Sequence, residues 1–187
     1  MKVFLTDLSD ISGNSELIHR YEALLSPSDL SRYNQMTHRN RQLQFLAGRA
    51  LVYENCHEMP TLLQNGKPVV SKGYISLAHS ENWVGLAIGE MPVGLDIENT
   101  LTDRPFDLIA KRMKFSNSSD RISFYKNFTG FEADYKLAAP NTKTAHFYYS
   151  IKTFIICISL LNNKENIEFI KSIPFKQNLP FTPEVFP

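Results

Sequence analysis

The 187 residues carry 20 basic and 19 acidic side chains, a formal charge of +1, and 43% of them are apolar. That apolar content can bury a core and sets disorder aside, while the charge balance gives no global electrostatic case for nucleic acid or an acidic membrane surface, so any anion-binding patch must be local. The two cysteines, Cys56 and Cys157, match no metal-ligand spacing and are expected as buried thiols rather than a disulfide. The start, MKVFLTDLSD, meets acids too early for a signal-peptide core, and the longest apolar run, Thr153 to Leu161, is too short to span a bilayer. A cytoplasmic protein with no membrane segment is the expectation.

In chain order, Val3 to Leu8 predicts a strand and Glu16 to Leu25 a helix, with Leu17, Ile18, Tyr21 and Leu24 in helical spacing. Ser26-Pro27-Ser28-Asp29 then offers an N-cap, a proline at the first helical position and an early acid, opening a long helical segment to about His57. Arg32, His38, Arg39, Arg41 and Arg49 are interspersed along it, either as a solvated face or as a phosphate-binding edge. Asn65-Gly66-Lys67-Pro68 reads as a turn that presents Lys67 on a loop. Two apolar runs, Tyr74 to Ala78 and Trp83 to Gly89, predict a hairpin across His79-Ser80-Glu81-Asn82, and the acidic strand Val93 to Glu98 follows.

Beyond it, helices are predicted at Phe106 to Phe115 and near Ile122 to Ala138, and strands at His146 to Ser150, Phe154 to Leu160 and Ile167 to Ile170, with Asn162-Asn163 as the last turn. A tail with Pro174, Pro180, Pro183 and Pro187 reads as irregular. The fold class is α+β. The second half repeats the plan of the first, so residues 1–92 and 93–187 are expected as two halves sharing a continuous interface near Pro92.

The chemistry concentrates between Tyr74 and Glu98. Residues of one strand alternate faces, so Asp96 and Glu98 project one way while Val93, Leu95 and Ile97 project the other. Like charges two apart repel, and a divalent cation or a polar cleft makes the arrangement tolerable. Glu132 and Lys136 follow on a helix; with the acid first and four residues apart they could equally be an exposed ion pair. His79 alone would be a turn residue. Taken together, three carboxylates, a lysine and a histidine suit magnesium and phosphate.

Four segments in order, Gly66-Lys67-Pro68, Leu77-Ala78-His79-Ser80, Val93-Gly94-Leu95-Asp96-Ile97-Glu98 and Phe128-Thr129-Gly130-Phe131-Glu132-Ala133-Asp134-Tyr135-Lys136, resemble the successive motifs of the 4'-phosphopantetheinyl transferases, the holo-acyl-carrier-protein synthase type in its monomeric form. Phe45-Leu46-Ala47-Gly48-Arg49 before them and Ile109-Ala110-Lys111-Arg112 after the acidic strand extend the likeness over most of the chain. The resemblance implies a pseudo-dimer of two α/β halves with coenzyme A in the cleft between them. It further implies that Asp96, Glu98 and Glu132 hold magnesium against the pyrophosphate, that His79 contacts the phosphate nearer the adenosine, and that Lys136 neutralises the transferring phosphoryl group. Lys67, Arg41 and Arg49 would lie toward the adenosine end and its 3'-phosphate. The partner would be an apo carrier protein of acyl, polyketide or peptidyl type, met by a rim including Lys111, Arg112 and Met113, whose serine attacks the phosphorus and releases adenosine 3',5'-bisphosphate. Glu132 and a metal-bound water are the alternatives for the base.

The chain departs from the family pattern at several places. Phe128 stands where a tryptophan is common, Phe131 where a lysine precedes the helical glutamate, Gln44 where an arginine meets a coenzyme phosphate, and Ala78 where a serine precedes the histidine. Arg41, one turn before Gln44, could substitute. These losses keep open a second class, a coenzyme A or carrier-protein binding module with weak or no transferase activity.

Overall fold

The structure is a computed structural model, and it describes residues 1–64, 66–115, 120–138, 142–161, 166–172, 179–180 and 184–185. Asn65 of the expected turn, the Asn162-Asn163 turn, and Pro174, Pro183 and Pro187 lie outside the described residues.

The first strand, β1 (Lys2–Asp7), shows how the layers arise from alternation. Phe4 enters a core with the helices, while Val3 and Leu5 enter a second core between two sheets. After β1 come a short helix α1 (Ser9–Ser12), which the sequence did not signal, and α2 (Ser15–Glu22), capped by the Asn14 side chain on Leu17 N–H. The long helical segment expected to run to His57 is two helices, α3 (Pro27–Asn34) and α4 (Arg39–Cys56). Ser26 does cap α3, with Pro27 in its first turn. The break has a visible consequence. Arg49 makes a two-pronged ion pair with Asp29, at 2.7 and 3.1 Å, whereas twenty residues of continuous helix would hold them about 30 Å apart.

Two short strands, β2 (Thr61–Leu62) and β3 (Pro68–Val69), flank the loop that bears Lys67. The predicted hairpin forms from β4 (Tyr74–Ser80) and β5 (Trp83–Gly89). Its turn is tighter than expected, because His79 and Ser80 belong to the strand and only Glu81 and Asn82 turn, Glu81 with a φ of 48°. The acidic strand is β6 (Val93–Asn99), followed by α5 (Phe106–Met113) and α6 (Arg121–Leu137). Strands β7 (Ala145–Ile151), β8 (Phe154–Leu160) and β9 (Glu168–Lys171) complete the expected set. The tail is not wholly irregular, since β10 (Leu179–Pro180) and β11 (Glu184–Val185) each pair with an earlier strand.

The fold is α+β. One sheet has the order β10-β9-β1-β5-β4, with β9 parallel to β1, and the other the order β11-β7-β8-β6. Helices α2, α3 and α4 cover the outer face of the first, α5 and α6 the outer face of the second, and the two sheets bury Val3, Leu5, Leu95, Ile97 and Ile156 between them. Edge strands β4 and β6 meet side by side. Ser76 and Ser80 hydroxyls of β4 accept the N–H groups of Leu95 and Asn99, at 2.9 and 3.2 Å, so the edge of β6 is not left without acceptors. No helix among the described residues is long and apolar enough to cross a membrane.

Candidate functional site

The same alternation that buries Leu95 and Ile97 between the sheets turns Gly94, Asp96 and Glu98 toward α6. Gly94 is required there: a Cβ would stand 1.9 Å from the Ala133 carbonyl oxygen. This close approach of helix to strand sets Glu132 and Lys136 beside the acidic pair. A second attachment comes from Asp134, whose Oδ1 accepts from the Ser159 hydroxyl of β8 and lies 2.9 Å from His146 Nε2 of β7. Burial alone would raise the Asp134 carboxyl, but those hydrogen bonds lower it on balance.

Asp96 and Glu98 are 6% and 8% exposed, so both are carboxylates in a poorly solvated place. Lys136 Nζ donates to Asp96 Oδ1 at 2.6 Å. Arg104 Nη2 donates to Glu98 Oε2 at 2.7 Å and lies over the Phe128 ring, 5.1 Å from its centroid. Even so, burial keeps the Asp96 carboxyl above its usual range, with Glu132 adding to the rise and Lys136 opposing it. Burial, with Asp96 next, pushes Glu98 up to about 7 against the pull of Arg104 and Lys136. Among the described residues, Asp96 Oδ2 is buried without a hydrogen-bond partner. An orphaned carboxylate oxygen costs free energy, and it is the observation that fits a cation at this place.

Across the groove, His79 projects from β4 on the α4 side, and Arg41 Nη1 lies 3.0 Å from its Nε2. A guanidinium only donates, so the imidazole accepts and is neutral. Solvent reaches part of the ring, yet desolvation by its surroundings, then Arg41 and Lys136, lower its pKa to about 4. Arg41 Nη1 also donates to Gln44 Oε1 at 3.2 Å, and Gln44 Nε2 donates to the Glu81 carbonyl at 2.8 Å, tying α4 to the hairpin turn.

Two cavities flank this cluster and share Gly66, Pro68 and Leu77 in their walls. The smaller, about 240 Å³, contains Arg41, Gln44, Arg49 and His79. The larger, about 850 Å³, contains Lys67, Lys136, Asp134, Phe131 and Tyr135, the last two 45% and 76% exposed.

The structure thus brings Asp96, Glu98, Glu132, Lys136, His79 and Arg41 into one electrostatic neighbourhood. Two expectations change. Arg49 is not on a solvated face: it is 6% exposed, paired with Asp29 and set 4.5 Å from the Phe45 ring centroid, so its charge is already met. Lys67 faces the larger cavity, where its Nζ lies 3.5 Å from the Leu137 carbonyl and burial lowers its pKa, and it does not line the cavity of Arg41. Sequence reasoning missed Arg104, which sits in an aperiodic loop with no signal beyond its distance of six residues from Glu98. It also missed the Asp134, His146 and Ser159 anchor, whose members are far apart in the chain.

As arranged here, with each strand acid turned to a basic partner, no three His, Cys, Asp or Glu side chains among the described residues are gathered into a metal-binding group. No known protein-family model matches the chain, and no curated protein matches its sequence.

Proposed function

We propose that this chain is a 4'-phosphopantetheinyl transferase that moves phosphopantetheine from coenzyme A to a serine of an apo carrier protein and releases adenosine 3',5'-bisphosphate. The single observation that carries the reading is the buried Asp96 with an unpartnered Oδ2, beside Glu98, Glu132 and Lys136 and across from a neutral His79 backed by Arg41. The ordered motifs of the sequence add to it, as does an architecture in which each main sheet carries a long helix, α4 or α6, in keeping with a monomeric pseudo-dimer. A cytoplasmic location belongs to the same reading.

Asp96, Glu98 and Glu132 would hold magnesium, which supplies charge neutralisation to a diphosphate. Lys136 has Asp96 as its fixed counter-ion on a helix clamped by Gly94, so its ammonium is positioned to meet charge on the phosphoryl group. His79, neutral at physiological pH, offers a ring N–H to a phosphate oxygen while Arg41 provides the positive charge. Glu132, half-buried at the groove, is the protein group suited to accept the serine proton. Phe131 and Tyr135 give the larger cavity an apolar lip for the pantetheine chain.

A second reading, a coenzyme A or carrier-protein binding module, is favoured by the pairing of Asp96 and Glu98 with Lys136 and Arg104. Intact-mass spectrometry of several apo carrier proteins, incubated with the protein, coenzyme A and magnesium, decides between them. The transferase gives a magnesium-dependent gain of one phosphopantetheine, abolished in Glu132→Ala with little loss of folding. Coenzyme A binding with no mass gain on any carrier supports the module, and full activity in well-folded Glu132→Ala removes Glu132 from the site.

A further inference from the structure

The described residues place two basic side chains on the acidic pair, and the two are held differently. Lys136 belongs to α6, whose backbone is fixed by the Gly94 contact. Arg104 belongs to the stretch between β6 and α5, whose backbone is secured just before it: Tyr125 Oη donates to the Thr102 carbonyl at 2.6 Å, and Thr100 N–H donates to the Thr153 carbonyl at 2.8 Å. The Arg104 side chain is 31% exposed and rests on Phe128 without being enclosed. Among the described residues, Nη2 is its one guanidinium nitrogen with a hydrogen-bond acceptor. The rest of the planar fork, a geometry matched to phosphate, is available without backbone movement.

We propose that Arg104 is an exchangeable counter-ion of this site, pairing with Glu98 in the ligand-free protein and passing its guanidinium to a ligand phosphate when a divalent cation takes Glu98. The proposal rests on the metal and coenzyme A reading above and adds a binding residue to it. A rim arginine with this duty competes with the metal and cooperates with the anion. Its removal therefore acts in opposite directions on the two ligands, whereas loss of a purely structural contact weakens both.

The test uses the full chain and its Arg104→Gln and Arg104→Lys variants. Calorimetry measures manganese affinity without coenzyme A, and then coenzyme A affinity with magnesium present. Arg104→Gln is expected to bind manganese about threefold more tightly, because a competing cation is gone. It is expected to bind coenzyme A about tenfold more weakly, because a charge-assisted hydrogen bond is lost. Arg104→Lys, which keeps the charge without the fork, should fall between wild type and Arg104→Gln in both. Affinities that fall together, or that stay at wild-type values while wild type binds both ligands, overturn the assignment of Arg104 alone. Wild-type protein that binds neither ligand overturns the underlying reading as well.

Discussion

Replacing Gly94 by alanine adds one methyl group at the place where strand and helix are closest. The added Cβ would lie 1.9 Å from the Ala133 carbonyl oxygen, 2.8 Å from its carbon and 3.0 Å from Leu137 N. All three are backbone atoms, so no side-chain rotation relieves the overlap. Restoring an ordinary contact of about 3.5 Å requires α6 to withdraw by about 1.5 Å. Overpacking of this kind costs about 3 kcal/mol, at the upper end of its common range because the obstacle is rigid. For a chain of this size that is a fall in Tm of about 6–12 °C. The same withdrawal stretches the 2.6 Å contact between Lys136 and Asp96, so coenzyme A binding should weaken as well. Gly13→Ala is the control, since a Cβ there meets nothing within 4 Å and its φ of −90° suits any residue. Urea unfolding followed by the fluorescence of the single tryptophan, the buried Trp83, reads the effect. A Gly94→Ala variant as stable as Gly13→Ala would refute the close approach of α6 to β6.

Glu98 is held neutral below about 7 in the fold against 4.5 ordinarily, so native protein binds the extra proton across that window and stability falls as pH rises through it. In metal-free buffer Glu98→Gln should match wild type near pH 4.5 and exceed it by about 3 kcal/mol above pH 7, and a pH-independent difference between the two unfolding curves would count against it. His79 shifts the opposite way and contributes the same slope to both proteins, so it cancels from that difference. Asp29→Ala leaves the Arg49 guanidinium buried and unpaired and should lower stability by about 3–5 kcal/mol in a chemical melt, with wild-type stability as the contrary result. Gln44→Arg adds a cation to the cavity of Arg41 and His79 and should tighten coenzyme A at low salt, and unchanged calorimetric affinity would move the 3'-phosphate elsewhere.

Most strands were legible because each is a short apolar run, or an apolar alternation as in β6, bounded by turn residues, a pattern that tertiary structure had no reason to override. The β6 alternation announced which side chains share a face, and the face opposite the inter-sheet core is where Asp96 and Glu98 stand. The division between α3 and α4 was not legible. Phe45, Leu46, Arg49, Ala50 and Tyr53 keep helical spacing, but the break before them accompanies the Asp29 and Arg49 pair, a contact between positions twenty residues apart. The same pair takes up the Arg49 charge inside a stretch of α4, Leu46 to Val52, that is buried throughout. Arg104 illustrates a second limit: a loop residue has no period, so only the fold brings it to Glu98.

The energetics of the acidic pair argue that it persists for something other than stability. Two carboxylates with less than a tenth of their surface exposed, one with an oxygen unpartnered among the described residues, leave the ligand-free protein less stable than apolar residues of similar volume would. Their basic partners reduce that cost without removing it, since both carboxyls still sit above their ordinary pKa values. Stability alone therefore gives no reason to keep them. A cation at Asp96 Oδ2 would relieve the strain at its source, and Phe131 rather than a lysine stands beside Glu132 on α6. Neutralisation at Glu98 falls instead to Arg104 on its loop. One counter-ion is thus fixed to a clamped helix and the other is carried by a loop side chain, the division of labour that a site exchanging an internal ion pair for a metal and a phosphate requires.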